Sequence, residues 1–134
     1  MFVRVNFEQP INELVHGLLR EESNQVITSE PAIEVSENEN ESMMVVELPG
    51  VKKEDITISV ENGWLSVTGE RKSLQSPEIS RILHREIEYK PFARSLKLPH
   101  PVDADKITAQ LENGLLKISL PKAEEVRPRT IEIK

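Results

Sequence analysis

The chain has 134 residues, 17 basic and 23 acidic, for a net charge of −6 and a pI near 5.2. That balance argues against nucleic-acid binding, which draws most of its affinity from a basic patch, and the absence of cysteine leaves neither a disulfide framework nor a thiolate metal site. With only 4% aromatic residues, the core has to be aliphatic, in a length that fits one domain with short arms.

The opening M-F-V-R-V-N-F-E-Q-P lacks the basic region and continuous apolar run of a secretory signal, and no later stretch is apolar for long enough to span a bilayer. The expectation is a soluble, cytoplasmic protein. From Pro10 to Arg20 the residues Ile11, Leu14, Val15, Leu18 and Leu19 recur at helical spacing, with Phe7 extending the stripe, which predicts a short amphipathic helix. Gly17 inside that run costs about 1 kcal/mol relative to alanine, so the helix needs a surface to pack on, either its own domain or another protein. Glu21 to Glu30 reads as a polar linker that Pro31 ends.

Strands follow. Ala32 to Ser36 alternates, a charged loop intervenes, and Met43 to Leu48 alternates again, with Met44, Val46 and Leu48 facing inward and Met43 and Val45 on the other face. Pro49-Gly50 closes that strand, and V-K-K-E-D leads into I-T-I-S-V-E-N-G-W-L-S-V-T-G-E over residues 56–70. Asn-Gly tolerates the positive φ of a primed turn, so this stretch predicts a β-hairpin. Ile56, Ile58 and Val60 share one face before the turn; Leu65 and Val67 share one after it. The device returns in I-T-A-Q-L-E-N-G-L-L-K-I-S-L-P over residues 107–121, with Ile107, Ala109 and Leu111 before the turn and Leu116, Ile118 and Leu120 after it.

Between the hairpins, Arg71 to Pro91 is long and charged, with apolar Ile79, Ile82, Leu83 and Ile87. A structureless loop of that length is uncommon in a compact domain, so the segment either carries a strand near Ser80 to Glu86 or reaches out to another chain. Phe92 to Leu98 resumes alternation. The tail from Lys122 to Lys134 is polar except for Ile131-Glu132-Ile133, whose two isoleucines share one face of an extended segment and predict a docking peptide.

Catalytic patterns are missing. His16, His84 and His100 lack the spacing of a metal site, and no nucleophile-elbow or phosphate-cradling glycine motif occurs. No enzyme activity, cofactor or metal is expected. Glu61 and Glu112 each precede an Asn-Gly turn, and that repeated position assigns them to turn structure.

Five stretches, in order, carry a family resemblance: V-E-L-P-G-V-K-K-E-D-I (46–56), T-G-E-R (68–71), F-A-R-S-L-K-L-P (92–99), A-x-x-x-N-G-L-L (109–116) and I-S-L-P-K (118–122). Over roughly residues 31–122 plus the tail, the chain resembles the small heat-shock proteins, built around an α-crystallin domain. The resemblance implies an all-β, immunoglobulin-like β-sandwich over 31–122. A short N-terminal arm with its amphipathic helix (1–30) precedes it, and an extended C-terminal tail (123–134) with an I-x-I anchor follows.

The resemblance also implies an ATP-independent holdase that binds unfolding proteins and prevents their aggregation, with no nucleic acid among its partners. Homodimers would form by strand exchange, Arg81, Ile82, Leu83, His84, Arg85 and Glu86 pairing with the first strand of a second copy at Ile33 and Val35. Dimers would build a larger oligomer when Ile131 and Ile133 dock in a groove formed by Ile56, Ile58, Val60, Ile107, Ala109 and Leu111. Lys122 to Thr130, fully extended at roughly 3.3 Å per residue, spans about 30 Å toward a neighbour. Clients would meet Phe2, Phe7, Ile11, Leu14, Leu18 and Leu19. The alternative is a β-sandwich adaptor or co-chaperone module that binds one specific folded partner.

Overall fold

In the computed structural model, which describes residues 28–76, 78 and 81–134, both Asn-Gly pairs turn the chain through the left-handed region. Asn62 and Gly63 have φ of 50° and 77°, and Asn113 and Gly114 have 52° and 74°. Each pair closes a hairpin of the expected register, Val60 opposite Leu65 and Leu111 opposite Leu116. The tips are also tied down. The Gly63 carbonyl accepts a hydrogen bond from the Leu98 amide, and the Gly114 carbonyl accepts one from the Leu48 amide, both at 2.8 Å.

Among the described residues seven strands result: β1 (Ile33–Glu37), β2 (Glu41–Glu47), β3 (Ile56–Glu61), β4 (Trp64–Glu70), β5 (Pro91–Lys97), β6 (Thr108–Glu112) and β7 (Leu115–Pro121). All pair antiparallel, in a four-stranded sheet of order β1-β2-β7-β6 and a three-stranded sheet of order β3-β4-β5. This is the two-sheet, all-β sandwich expected from the sequence. The predicted helix at 10–20 lies outside the described residues.

The inner faces meet in a single aliphatic core. Met44, Val46, Leu116, Ile118 and Leu120 come from one sheet and Ile58, Leu65 and Val67 from the other, all at most 1% exposed. Each such side chain contributes about 1.5–3 kcal/mol through removal from water. The alternation placed Met44, Val46 and Leu48 inward correctly, and Met43 is on the opposite face.

One glycine is needed for packing. A Cβ on Gly69 would sit 2.0 Å from the Asp55 carbonyl oxygen and 2.6 Å from the Phe92 ring, so β4 approaches the turn before β3 at a distance only glycine permits.

Two flanks of the sandwich differ. On one, Ser29 forms a parallel bridge to Phe92 of β5 and exchanges backbone bonds with Pro91 and Ala93, just before the chain enters β1. On the other, the 3₁₀ turn Lys53–Asp55 that precedes β3 lies beside Leu111–Gly114 at the end of β6. The edge strands β3 and β6 therefore border the same flank.

Candidate functional site

The sites of interest are the open edges of the two sheets and the tail. Among the described residues, no group of three or more acids or histidines could hold a metal ion, and no helix is long and apolar enough to cross a membrane.

The first edge is β1, which pairs only with β2. Its register puts Ile33 opposite Val46 and Val35 opposite Met44, so both point to the inner face. Yet Ile33 is only half-buried and Val35 is 42% exposed. The cause is geometric: the three-stranded sheet is narrower than the four-stranded one and leaves the inner face of β1 uncovered. An edge strand with unpaired backbone groups and bare apolar side chains is a template for another strand.

The segment expected to supply that strand departs from the sandwich. Its neck is closed where the Arg71 amide donates to the Lys90 carbonyl at 3.3 Å. Between these points the described residues form no strand, and Arg81, Ile82, Leu83, His84, Arg85 and Glu86 are all exposed, Leu83 by 80%. His84 faces Glu86 at 3.0 Å, and the Arg85 guanidinium lies 5.4 Å from the Tyr89 ring centre. Among the described residues this stretch forms no strand pairing with β1.

The second candidate is the flank between β3 and β6. The expected groove residues divide by burial: Ile56, Ile58, Ile107 and Ala109 belong to the core at 9% exposure or less, whereas Val60 and Leu111 are partly buried and pack against it. Alternation reports which face a residue takes, not whether the opposite sheet already covers it. Near Leu111 the flank opens into a cleft of about 330 Å³ lined by Val51, Lys52, Lys53 and Glu112.

The tail begins from a fixed point that sequence reasoning missed. Lys122 is 8% exposed, and its ammonium lies 3.1 Å from the Glu37 carboxylate, which also lies 3.2 Å from His100 Nε2. Lys122, through its hydrogen bond and then its charge, holds the Glu37 carboxyl below its ordinary value, and His100 adds to this. The Lys122 amide donates to Asn40, and its carbonyl accepts from Arg127 Nε at 2.9 Å. Only the lysine following I-S-L-P hinted at this junction.

That junction shortens the tail. The 3₁₀ turn Glu124–Val126 and the Arg127 bond fold back much of the span that full extension would give. Three residues, 128–130, separate Arg127 from Ile131. Ile131 and Ile133 are 85% and 99% exposed, so neither rests on its own domain. The arm residues Phe2, Phe7, Ile11, Leu14, Leu18 and Leu19 lie outside the described residues.

Among the described residues, a seven-stranded sandwich with an uncovered first strand, a long exposed excursion before β5 and two bare isoleucines on the tail defines a class of β-sandwich domain with open edges. The model of the Hsp20/alpha crystallin family matches residues 34–134, and the chain belongs to that family. It is 38% identical over 105 residues to small heat shock protein C2 of Rickettsia felis, covering 78% of this chain and 68% of that protein.

Among solved structures, heat shock protein 16.0 of Schizosaccharomyces pombe matches with a TM-score of 0.66 and 36% identity, covering 79% of this chain and 99% of that one. A small heat-shock protein from Xylella fastidiosa, described as having a distinct high order structure, matches at 0.63 and 35%, over 78% and 95%. The chain spans about two thirds of the length of the curated relatives it matches.

Proposed function

We propose that this protein is an ATP-independent molecular chaperone, a holdase that binds unfolding proteins and prevents their aggregation, and that it works as a dimer-based oligomer. The observation that carries this reading is the exposure of Ile131 and Ile133 on the tail of a domain whose relatives are small heat shock proteins. Two isoleucines held in water cost free energy that docking recovers. A capture mechanism follows from the physics of apolar surface, with no nucleotide needed. Assembly covers the docking surfaces, dissociation uncovers them, and an unfolding client competes for them by the same non-directional attraction.

In this reading Arg81 to Glu86 pairs with β1 of a second copy at Ile33 and Val35, and the dimer closes an edge that would otherwise recruit strands indiscriminately. Ile131 and Ile133 dock on the β3–β6 flank, meeting Val60 and Leu111 first, with Ile56, Ile58, Ile107 and Ala109 behind them. Phe2, Phe7, Ile11, Leu14, Leu18 and Leu19 supply client-binding surface. The cytoplasm is the expected compartment, in keeping with a chain free of cysteine.

The test is heat-induced light scattering of a model enzyme with the purified protein at equal subunit concentration and no nucleotide. Suppression of scattering is expected; an unaltered scattering curve would overturn the proposal.

A further inference from the structure

At the neck of the long segment, beside the start of β1, a cleft of about 250 Å³ opens among Pro31, Glu47, Arg71, Glu88, Lys90 and Phe92. Arg71 Nε is shut off from solvent there and has no hydrogen-bond partner, and no carboxylate pairs with its guanidinium among the described residues. Of the three carboxylates in the lining, Glu88 pairs with Lys90 at 2.8 Å and Glu30 with Arg94 at 3.4 Å, while Glu47 makes no ion pair among the described residues and none of the three reaches Arg71 Nε. A guanidinium carries five donors, and a buried donor without an acceptor costs free energy that an incoming carboxylate offsets through paired, charge-assisted bonds. The cleft is thus a seat in which one buried donor, Arg71 Nε, is left without an acceptor.

We propose that this seat receives the Glu86 carboxylate of a second copy of the chain, so that Arg71 and Glu86 form a reciprocal ion pair across the dimer. This rests on the strand-exchange reading and adds to it a charge contact that fixes register. Continuity argues for the second copy: Ala32, which also lines the cleft, leads directly into the uncovered face of β1. Reach selects the acid. Glu88 stands two residues from Lys90, whose carbonyl is bonded to the Arg71 amide, so it is held at its own neck. Glu86 lies farther out, its side chain 86% exposed and facing only His84. A twofold dimer makes the contact twice, and a strand slipped by one residue would turn Glu86 to the other face and lose both contacts.

The experiment is charge reversal in the full chain, read as the dimer dissociation constant by sedimentation equilibrium, with circular dichroism confirming the sandwich. Ile131→Gly/Ile133→Gly serves as the background so that larger assemblies do not obscure the dimer. Arg71→Glu and Glu86→Arg are each expected to weaken the dimer by about tenfold or more, and the double variant to regain most of the affinity. If Arg71→Glu does not fold, Arg71→Gln and Glu86→Gln replace the reversals, and the double variant is then expected to be no weaker than either single one, since each single change already removes the whole pair. Unaltered dissociation constants for the single variants, or a doubly reversed variant as weak as the singles, would overturn the ion pair while leaving strand exchange standing. A background protein that is monomeric at every concentration would overturn strand exchange and the ion pair together.

Discussion

Replacing Ile131 and Ile133 with glycine tests the tail most directly, and its magnitude can be worked from exposure. Both side chains start almost wholly in water, at 85% and 99%, so docking realises nearly the full gain of about 1.5–3 kcal/mol each. Immobilising each side chain returns about 0.5–1.5 kcal/mol. With like ends of these ranges matched, roughly 2–3 kcal/mol per tail remains, which corresponds to a weakening of each contact by about 30-fold to 160-fold. The same exposure means that the isolated domain loses nothing, so its thermal midpoint should stay within the small range of surface substitutions, about 0.5 kcal/mol.

The assay is size-exclusion chromatography with native mass spectrometry at matched subunit concentration, supported by circular dichroism. The expected outcome is collapse toward dimers with an intact sandwich. A double variant that elutes and weighs like the wild-type assembly would refute the docking of the tail.

Gly69→Ala should destabilise the fold by about 1–3 kcal/mol, because its methyl group collides with the Asp55 backbone and the Phe92 ring; calorimetry should show a midpoint drop of about 4–8 °C per kcal/mol. Leu116→Ala, at a wholly buried position, should cost about 2–5 kcal/mol in denaturant unfolding. The lowered Glu37 pKa predicts an acid dependence of definite sign. A depressed carboxylate contributes stability above its unfolded-state value, and that contribution disappears as pH falls through the lower folded one, so Glu37→Gln should flatten the loss of stability on acidification below the ordinary glutamate range. A Gln variant with the wild-type acid dependence would show that Lys122 and Glu37 are not coupled in solution.

The turns were the most legible part of the chain. Asn62-Gly63 and Asn113-Gly114 announce positive φ through residue type alone, and the flanking period of two then assigns faces. Layer coverage was not legible. Val35 and Met44 both face inward, yet one is 42% exposed and the other 0%, because the narrower sheet stops short of β1. Depth is equally hidden at Ile58 and Ala109, expected as groove walls and buried within one chain at 0% and 2% exposure. The role of Gly69 was not legible either, since it depends on the Asp55 backbone, distant in sequence and close in space. Residue type marks Arg71 and Lys122 only as cations; packing is what separates an unpaired guanidinium from a paired ammonium.

The bonds from Leu98 to the Gly63 carbonyl and from Leu48 to the Gly114 carbonyl bear on how this molecule tolerates change. Hairpin tips are ordinarily where a chain accepts insertions, because they touch nothing. Here each tip holds the last amide before a proline, Pro49 or Pro99, which has no N–H to continue a ladder. The two turns thus act as end stops for strands β2 and β5, outside their own hairpins. Lengthening either turn by a residue would release the end of a strand elsewhere in its sheet, so the places that look most permissive to an engineer are among the least.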